Sequence, residues 1–159
     1  MIDGVTRVLV SLDNPMLTAV ASFLDNYILY IVTIFAAVLI SERRKKKLEK
    51  IFFAIIIAVL LAFIGKELFA VERPCVSEIT SKIECPVGYS LPSLHAAIAF
   101  TVAIAFLNKK SYSLYLLFAL FIGFTRIYLG VHTFIDIAMS LVVALVAYHI
   151  THLVWRKKK

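Results

Sequence analysis

The chain has 159 residues, of which 62% are hydrophobic and only 17% charged, with a mean hydropathy of +0.93. An average soluble domain holds roughly 45–50% apolar residues, and one domain of this length exposes too much surface to hide the excess. Composition therefore excludes a soluble single domain, a disordered chain and a fibrous one, and leaves the bilayer as solvent. The formal charge of +7 comes from 17 Lys and Arg against 10 Asp and Glu. Most of these cations lie in tight clusters beside apolar runs, which reads as membrane topology rather than a nucleic-acid face.

In chain order, Val5, Val8, Leu9 and Leu12 recur at i, i+3, i+4 and i+7, the stripe of a short amphipathic helix. Asp13-Asn14-Pro15 reads as a stop followed by a cap with proline at the first helical position. A second short helix over Met16–Leu24 ends at Asp25-Asn26. Residues 1–25 are thus expected to be interfacial anchoring helices, with a wall of a lipid entrance as the alternative. The N-terminus has no basic n-region or cleavage pattern, so these segments are expected to be retained.

Uncharged apolar stretches follow at Tyr27–Ser41, Ile51–Gly65, Ser111–Thr125 and Ile137–Trp155, with a further one at Pro86–Asn108 interrupted only by His95. Several are about 15 residues, short for a hydrocarbon core about 30 Å thick. Charged residues at their ends can extend them by snorkelling. The expected fold is all-α: one domain over 1–159, with a bundle of about five transmembrane helices over 27–155.

Arg43, Arg44, Lys45, Lys46, Lys47, Lys50, Lys109, Lys110, Arg156, Lys157, Lys158 and Lys159 fall on one side of that bundle. Arg7, Lys66, Arg73, Lys82 and Arg126 fall on the other. The positive-inside rule places the first group in the cytoplasm, the N-terminus outside and the C-terminus inside. Cys75 and Cys85 then share an outer, oxidising loop, where a disulfide would contribute roughly 3 kcal/mol. Two cysteines alone do not make a zinc site, and no metal or other cofactor is expected.

The outer ends of the last four helices collect Lys66, Arg73, Ser93, His95, Arg126, His132 and Asp136. Ionisable residues at membrane depth are costly and mark functional sites by default. Three cations suit a dianionic phosphate, and Arg can engage it bidentately. Pro92-Ser93 at a helix start presents backbone N–H groups to an anion. His132 and Asp136, four apart, share a helix face, so the carboxylate can fix the tautomer and leave the other ring nitrogen free to attack. His95 remains as proton donor for the leaving oxygen.

These residues resemble the type 2 phosphatidic acid phosphatase (PAP2) superfamily of membrane lipid phosphatases. That family's pattern is K-x6-R-P, then P-S-G-H, then S-R-x5-H-x3-D. The chain carries Lys66 to Arg73-Pro74, Pro92-Ser93-Leu94-His95, and Thr125-Arg126 to His132 and Asp136, in order and at those spacings. The match spans about half the chain. The resemblance implies a phosphohistidine on His132 supported by Asp136, leaving-group protonation by His95, and phosphoryl oxygens held by Lys66, Arg73, Ser93 and Arg126. Two positions depart from the pattern. Leu94 stands for the usual Gly inside the phosphate-binding stretch, so its side chain must point away, and Thr125 keeps the hydroxyl of the usual Ser.

The expected activity is hydrolysis of a polyprenyl diphosphate, undecaprenyl or dolichyl, at the extracytoplasmic face of the cell membrane. Phosphatidylglycerophosphate or phosphatidate is the rival substrate. A non-catalytic phospholipid-binding or transport protein is the reading from another class, and it gives no reason for the His132–Asp136 pair. The only expected partners are the lipid phosphate substrate and membrane lipids, with no nucleic acid and no obligatory protein.

Overall fold

The computed structural model describes residues 2–156, so Lys157, Lys158 and Lys159 of the basic C-terminus lie outside the described residues. Among those residues there are eight helices and no strand. They are α1 (Gly4–Ser11), α2 (Pro15–Asp25), α3 (Tyr27–Ser41), α4 (Lys45–Phe69), α5 (Pro74–Ser77), α6 (Leu94–Ala105), α7 (Tyr112–Tyr128) and α8 (Phe134–Arg156). α4 and α8, with 25 and 23 residues, are long and apolar enough to cross a membrane. α3, α6 and α7 are shorter apolar helices, and α1 with α2 forms a pair bent by 113°.

The N-terminal punctuation follows from side-chain caps. Asp3 accepts from the Thr6 N–H at 2.8 Å, and Asn14 accepts from the Leu17 N–H at 2.9 Å with Pro15 opening α2. Asn26 accepts from the Ile28 and Leu29 N–H groups and so separates α2 from α3. Such caps contribute about 1 kcal/mol each. Most of the apolar stripe of α1 points away from the protein: Val5, Val8 and Leu12 are exposed, and Leu9 is half-buried. Its buried residue is Thr6, whose hydroxyl accepts from the Phe134 N–H at 3.0 Å and so satisfies an orphan donor at the start of α8.

The apolar stretches read from sequence are helical, with two corrections. The helix that carries the Ile51–Gly65 stretch begins earlier than that stretch, at Lys45, so only Glu42–Arg44 separate it from α3. Lys and Glu are good helix formers, and nothing in that run breaks a helix. The stretch Pro86–Asn108 is helical only over Leu94–Ala105. Pro86, Gly88 with φ +90° and Pro92 hold the preceding residues in a loop.

That leaves α6 with 12 residues, about 18 Å of rise, too short to span a hydrocarbon core alone. It is instead the hub of the bundle, packed against α4, α7 and α8 and buried on every side from His95 to Ala103. Small residues permit this. Ala54, Ala58 and Ala62 on α4, Ala96, Ala97 and Ala99 on α6, and Ala144 and Ala147 on α8 are fully or almost fully buried. In lipid, helices associate by such close backbone approach rather than by hydrophobic burial. The outer faces carry Ile28, Val32, Ile40, Ile56, Leu60, Ile64, Leu114 and Leu117, all more than half exposed. An apolar belt of this extent needs lipid around it.

At the end of the bundle where α3 gives way to α4, one carboxylate is buried. Glu42 takes the Arg44 N–H on one oxygen at 3.0 Å and the Lys109 ammonium on the other at 2.9 Å, with Lys47 at 4.0 Å. These bonds, Lys109 first, hold its carboxyl below the usual range.

Candidate active site

The site is assembled at the other end, around the turn between α7 and α8. Gly130 has φ +78°, a left-handed conformation that lets the chain reverse within a few residues. A Cβ there would lie 3.1 Å from the Ser81 Cα, because the loop closed by the Cys75–Cys85 disulfide rests on this turn. The two cysteines are 5.8 Å apart at Cα. Cys75 and Ile83 pack against Tyr128, Leu129 and Val131, and the Lys82 N–H donates to the Leu129 carbonyl at 3.0 Å. The disulfide loop is thereby a buttress for the residues just before His132.

His132 precedes α8 rather than sharing a helix face with Asp136, which corrects the expected geometry. The pair still meets, with Nδ1 3.2 Å from Asp136 Oδ2. The reason is a capping box. The Thr133 N–H donates to Asp136 Oδ2 at 2.8 Å, and the Asp136 N–H donates to Thr133 Oγ1 at 3.3 Å. The same carboxylate oxygen also accepts from the Ser90 hydroxyl. An Nδ1–H pointed at Asp136 leaves the Nε2 lone pair outward, where Arg73 Nη1 lies at 3.2 Å. Burial, reinforced by Arg126 and Arg73, pushes the His132 ring below the ordinary histidine range against the opposing pull of Asp136. The ring is neutral at physiological pH, the form a nucleophile requires.

Arg73 is fixed by the Gly88 carbonyl at 3.1 Å and the Val131 carbonyl at 3.2 Å. Lys66 reaches the Tyr89 and Ser90 carbonyls at 2.5 and 3.2 Å, so it holds the loop that leads into α6. Gly65 allows that approach, since a Cβ there would lie 3.0 Å from Pro92 Cδ. The Ser93 N–H is taken by the Ser140 hydroxyl at 2.9 Å. Leu94 packs against the main apolar core, away from the polar cluster. His95 is buried between two aromatic rings, with Tyr27 and Tyr30 centroids at 4.5 and 4.6 Å. Tyr30 also donates to the His95 carbonyl at 2.7 Å.

Arg73, Arg126 and His132 line a cavity of about 540 Å³ together with residues 25–28 and 84–87. Among the described residues three buried side-chain polar atoms have no partner: Ser93 Oγ, His95 Nε2 and Arg126 Nε. Leaving such groups unpaired costs about 1–3 kcal/mol each, and all three belong to the phosphate-type motifs read from sequence, which points to a polar ligand. No group of three or more His, Cys, Asp or Glu side chains able to hold a metal ion occurs among the described residues.

Sequence reading missed Ser90, Thr133, Thr6 and Asp25 as neighbours of this cluster. Thr133 and Asp136 carry the capping-box spacing, which was available to find. Asp25 pairs with Arg126 at 2.5 Å across 101 positions, and no local pattern foretells that.

Comparison with known proteins places this arrangement. The family model described as the PAP2 superfamily matches residues 47–159, more than two thirds of the chain. The chain is 27% identical over 150 residues to "Putative undecaprenyl-diphosphatase YbjG" of Escherichia coli K12, covering 89% of this chain and 75% of that one. It is 29% identical over 133 residues to the bacitracin transport permease protein BcrC of Bacillus licheniformis, covering 79% of this chain and 66% of the relative. Among solved structures, Aquifex aeolicus LpxE superposes with a TM-score of 0.76 at 26% identity, covering 92% of each chain. A Bacillus subtilis PAP2-type phosphatidylglycerolphosphate phosphatase superposes with a TM-score of 0.71 at 19% identity, covering 98% of this chain and 84% of that one, a likeness of fold.

Proposed function

Because the chain belongs to the PAP2 superfamily, we propose that it is a membrane lipid phosphatase that hydrolyses a polyprenyl diphosphate through a phosphohistidine. The observation that carries this reading is the set of unpartnered buried atoms, Ser93 Oγ, His95 Nε2 and Arg126 Nε, together with the His132–Asp136 pair and Arg73 at His132 Nε2. A tetrahedral phosphoryl group supplies acceptors for Ser93 and Arg126, and it draws the Arg73 N–H away from the nucleophile.

In the first step His132 Nε2 attacks phosphorus and forms a P–N bond. The bond to the leaving oxygen breaks, and His95 gives that oxygen its proton. Asp136 keeps Nδ1–H in place and stabilises the positive charge that develops on the ring. In the second step His95 takes a proton from water, whose oxygen displaces His132 and releases inorganic phosphate. The leaving group is a lipid monophosphate for a diphosphate substrate and a lipid alcohol for a monophosphate. No step draws on a metal. The choice of a prenyl diphosphate follows the undecaprenyl-diphosphatase name of one relative, and the phosphatidylglycerophosphate reading follows the name of a solved neighbour.

In this reading residues 1–159 form one domain, and α3, α4, α6, α7 and α8 make five crossings. The catalytic end and the N-terminus face out, and the basic end that carries Glu42 faces the cytoplasm. Phosphate release in detergent from a panel of prenyl and glycerolipid phosphates, with and without chelator, tests the chemistry. Turnover of a prenyl diphosphate unaffected by chelator is expected, and preference for a glycerolipid phosphate would overturn the substrate assignment. A membrane-impermeant thiol reagent, applied after reduction, should label Cys75 and Cys85 from outside intact cells. Labelling only after lysis would invert the topology.

A further inference from the structure

The junction between α2 and α3 lies outside the stretch matched by the family model, yet it forms one wall of the cavity. The chain is directed there by its own local chemistry. α2 ends at Asp25, and the Asn26 side chain caps α3 by accepting from the Ile28 and Leu29 N–H groups. This fixes two neighbouring groups against the site. The Asp25 carboxylate binds Arg126 Nη1 at 2.5 Å. The Tyr27 ring lies 4.5 Å from the His95 ring.

We infer that Asp25 is a positioning residue of the phosphate site, anchoring one edge of the Arg126 guanidinium so that the opposite N–H is offered to the phosphoryl group. Arg126 is only 3% exposed and has one carboxylate partner on Nη1, while its Nε–H is buried without a partner. A guanidinium is rigid and planar, so pinning one nitrogen sets the direction of the others. An unpinned arginine in a cavity of about 540 Å³ has room to turn, and the entropy of fixing it would then be charged to each binding event. Asp25 has a second effect through charge. It offsets one of the three cations Lys66, Arg73 and Arg126, and so weakens the hold on the product, inorganic phosphate, which must leave for the next cycle. Asp25 is 28% exposed and lines the cavity, while Arg126 is buried.

This inference rests on the reading of the cavity as a phosphate site, and the test separates the two. The full-length protein in detergent is measured as wild type, Asp25→Ala and Asp25→Asn, for kcat and KM on a lipid diphosphate. Binding of inorganic phosphate is measured by calorimetry, which needs no turnover. Asp25→Ala, which removes the anchor, should raise KM about 10-fold or more, the scale of one charged hydrogen bond, with a smaller effect on kcat. Asp25→Asn keeps an acceptor for Nη1 but removes the charge, and should tighten inorganic phosphate about five-fold. In an Arg126→Lys background the Asp25→Ala effect on KM should shrink to less than two-fold, because an ammonium has no planar edge to anchor, while the charge effect of Asp25→Asn on phosphate affinity should persist.

KM and phosphate affinity within two-fold of wild type in both variants would overturn the inference while leaving phosphatase activity standing. So would a loss confined to melting temperature or folded yield, which is what a merely structural ion pair would show. Wild-type protein that binds phosphate in an Asp25-dependent way but turns over no lipid phosphate would keep the inference and sink the catalytic reading. Wild-type protein that neither binds phosphate nor turns over would sink both.

Discussion

The two ends of the bundle each bury carboxylates among cations, and they do so to opposite effect. At one end both oxygens of Glu42 are matched, one by the Arg44 N–H and the other by Lys109 and Lys47. At the other end Asp136 and Asp25 are matched too, but their partners keep unspent capacity. His132 Nε2 meets only the Arg73 guanidinium, Arg126 keeps a free Nε–H, and Ser93 Oγ and His95 Nε2 have no partner. A polar network that closes on itself holds a fold together. One left open by several groups at a single point holds a place for something else. Burial and charge do not separate the two ends. The count of unmet hydrogen bonds does.

The sharpest way to break that comparison is His132→Ala, which should lower phosphate release at least about 10³-fold in a phosphate-release assay while the protein still folds. Wild-type-like turnover would remove the covalent mechanism. Next in size is Arg73→Lys, expected to cost about 10- to 100-fold in kcat/KM. An ammonium cannot serve the Gly88 and Val131 carbonyls and His132 Nε2 together as the guanidinium does.

The pH profile should separate the ends as well. Burial depresses the His132 pKa below its ordinary 6.5, so the ring stays neutral as pH falls through that value. The acid limb of kcat/KM assigned to the nucleophile should therefore lie below 6.5, and the stability from burying a neutral ring should decline only as pH drops from 6.5 towards the lower folded value. An acid limb at 6.5 that disappears in a His132 variant would contradict the burial argument.

Reducing the Cys75–Cys85 disulfide should cost roughly 3 kcal/mol and lower the melting temperature by about 5–10 °C, measured by thermal denaturation in detergent. Activity at low temperature should fall along with it, because the loop buttresses the turn before His132. The smallest effect belongs to Glu42→Gln, with a melting temperature lower by about 2–4 °C and turnover unchanged. Glu42 has its carboxyl depressed below 4.5, so its contribution is present at neutral pH and fades as pH falls through the depressed value. A marked loss of turnover in Glu42→Gln would mean the two ends are coupled after all.

Much of the fold and of the candidate site is legible in the order of the residues, because the proposed site groups sit at fixed spacings near helix ends. Lys66 and Arg73, Ser93 and His95, and Arg126 and Asp136 lie seven, two and ten positions apart, and five apolar stretches announce the helices that bring them together. What escaped notice depends on tertiary closure. Asp25 reads locally as a helix stop, and only the packing of α2 beside α7 sets it against Arg126. Ser90 lies in a loop whose course is set by Lys66 and Val71 rather than by its own residues. Gly123 carried no message in sequence, yet a Cβ there would lie 2.7 Å from Ile137 Cγ2, so α7 and α8 meet over a missing side chain. The stripe on α1 was visible as amphipathic, but its outward orientation follows from Thr6 being the residue that docks.

That docking ties the reaction centre to the solvent of the whole molecule. Thr6 secures the first turn of α8, two residues from His132, from a helix whose apolar flank mostly points away from the protein. Whatever medium wets that flank bears on the turn that carries His132. Exchanging lipid for detergent is then a perturbation of the active site in its own right, and rates taken in micelles of different chain length will report the amphiphile along with the enzyme.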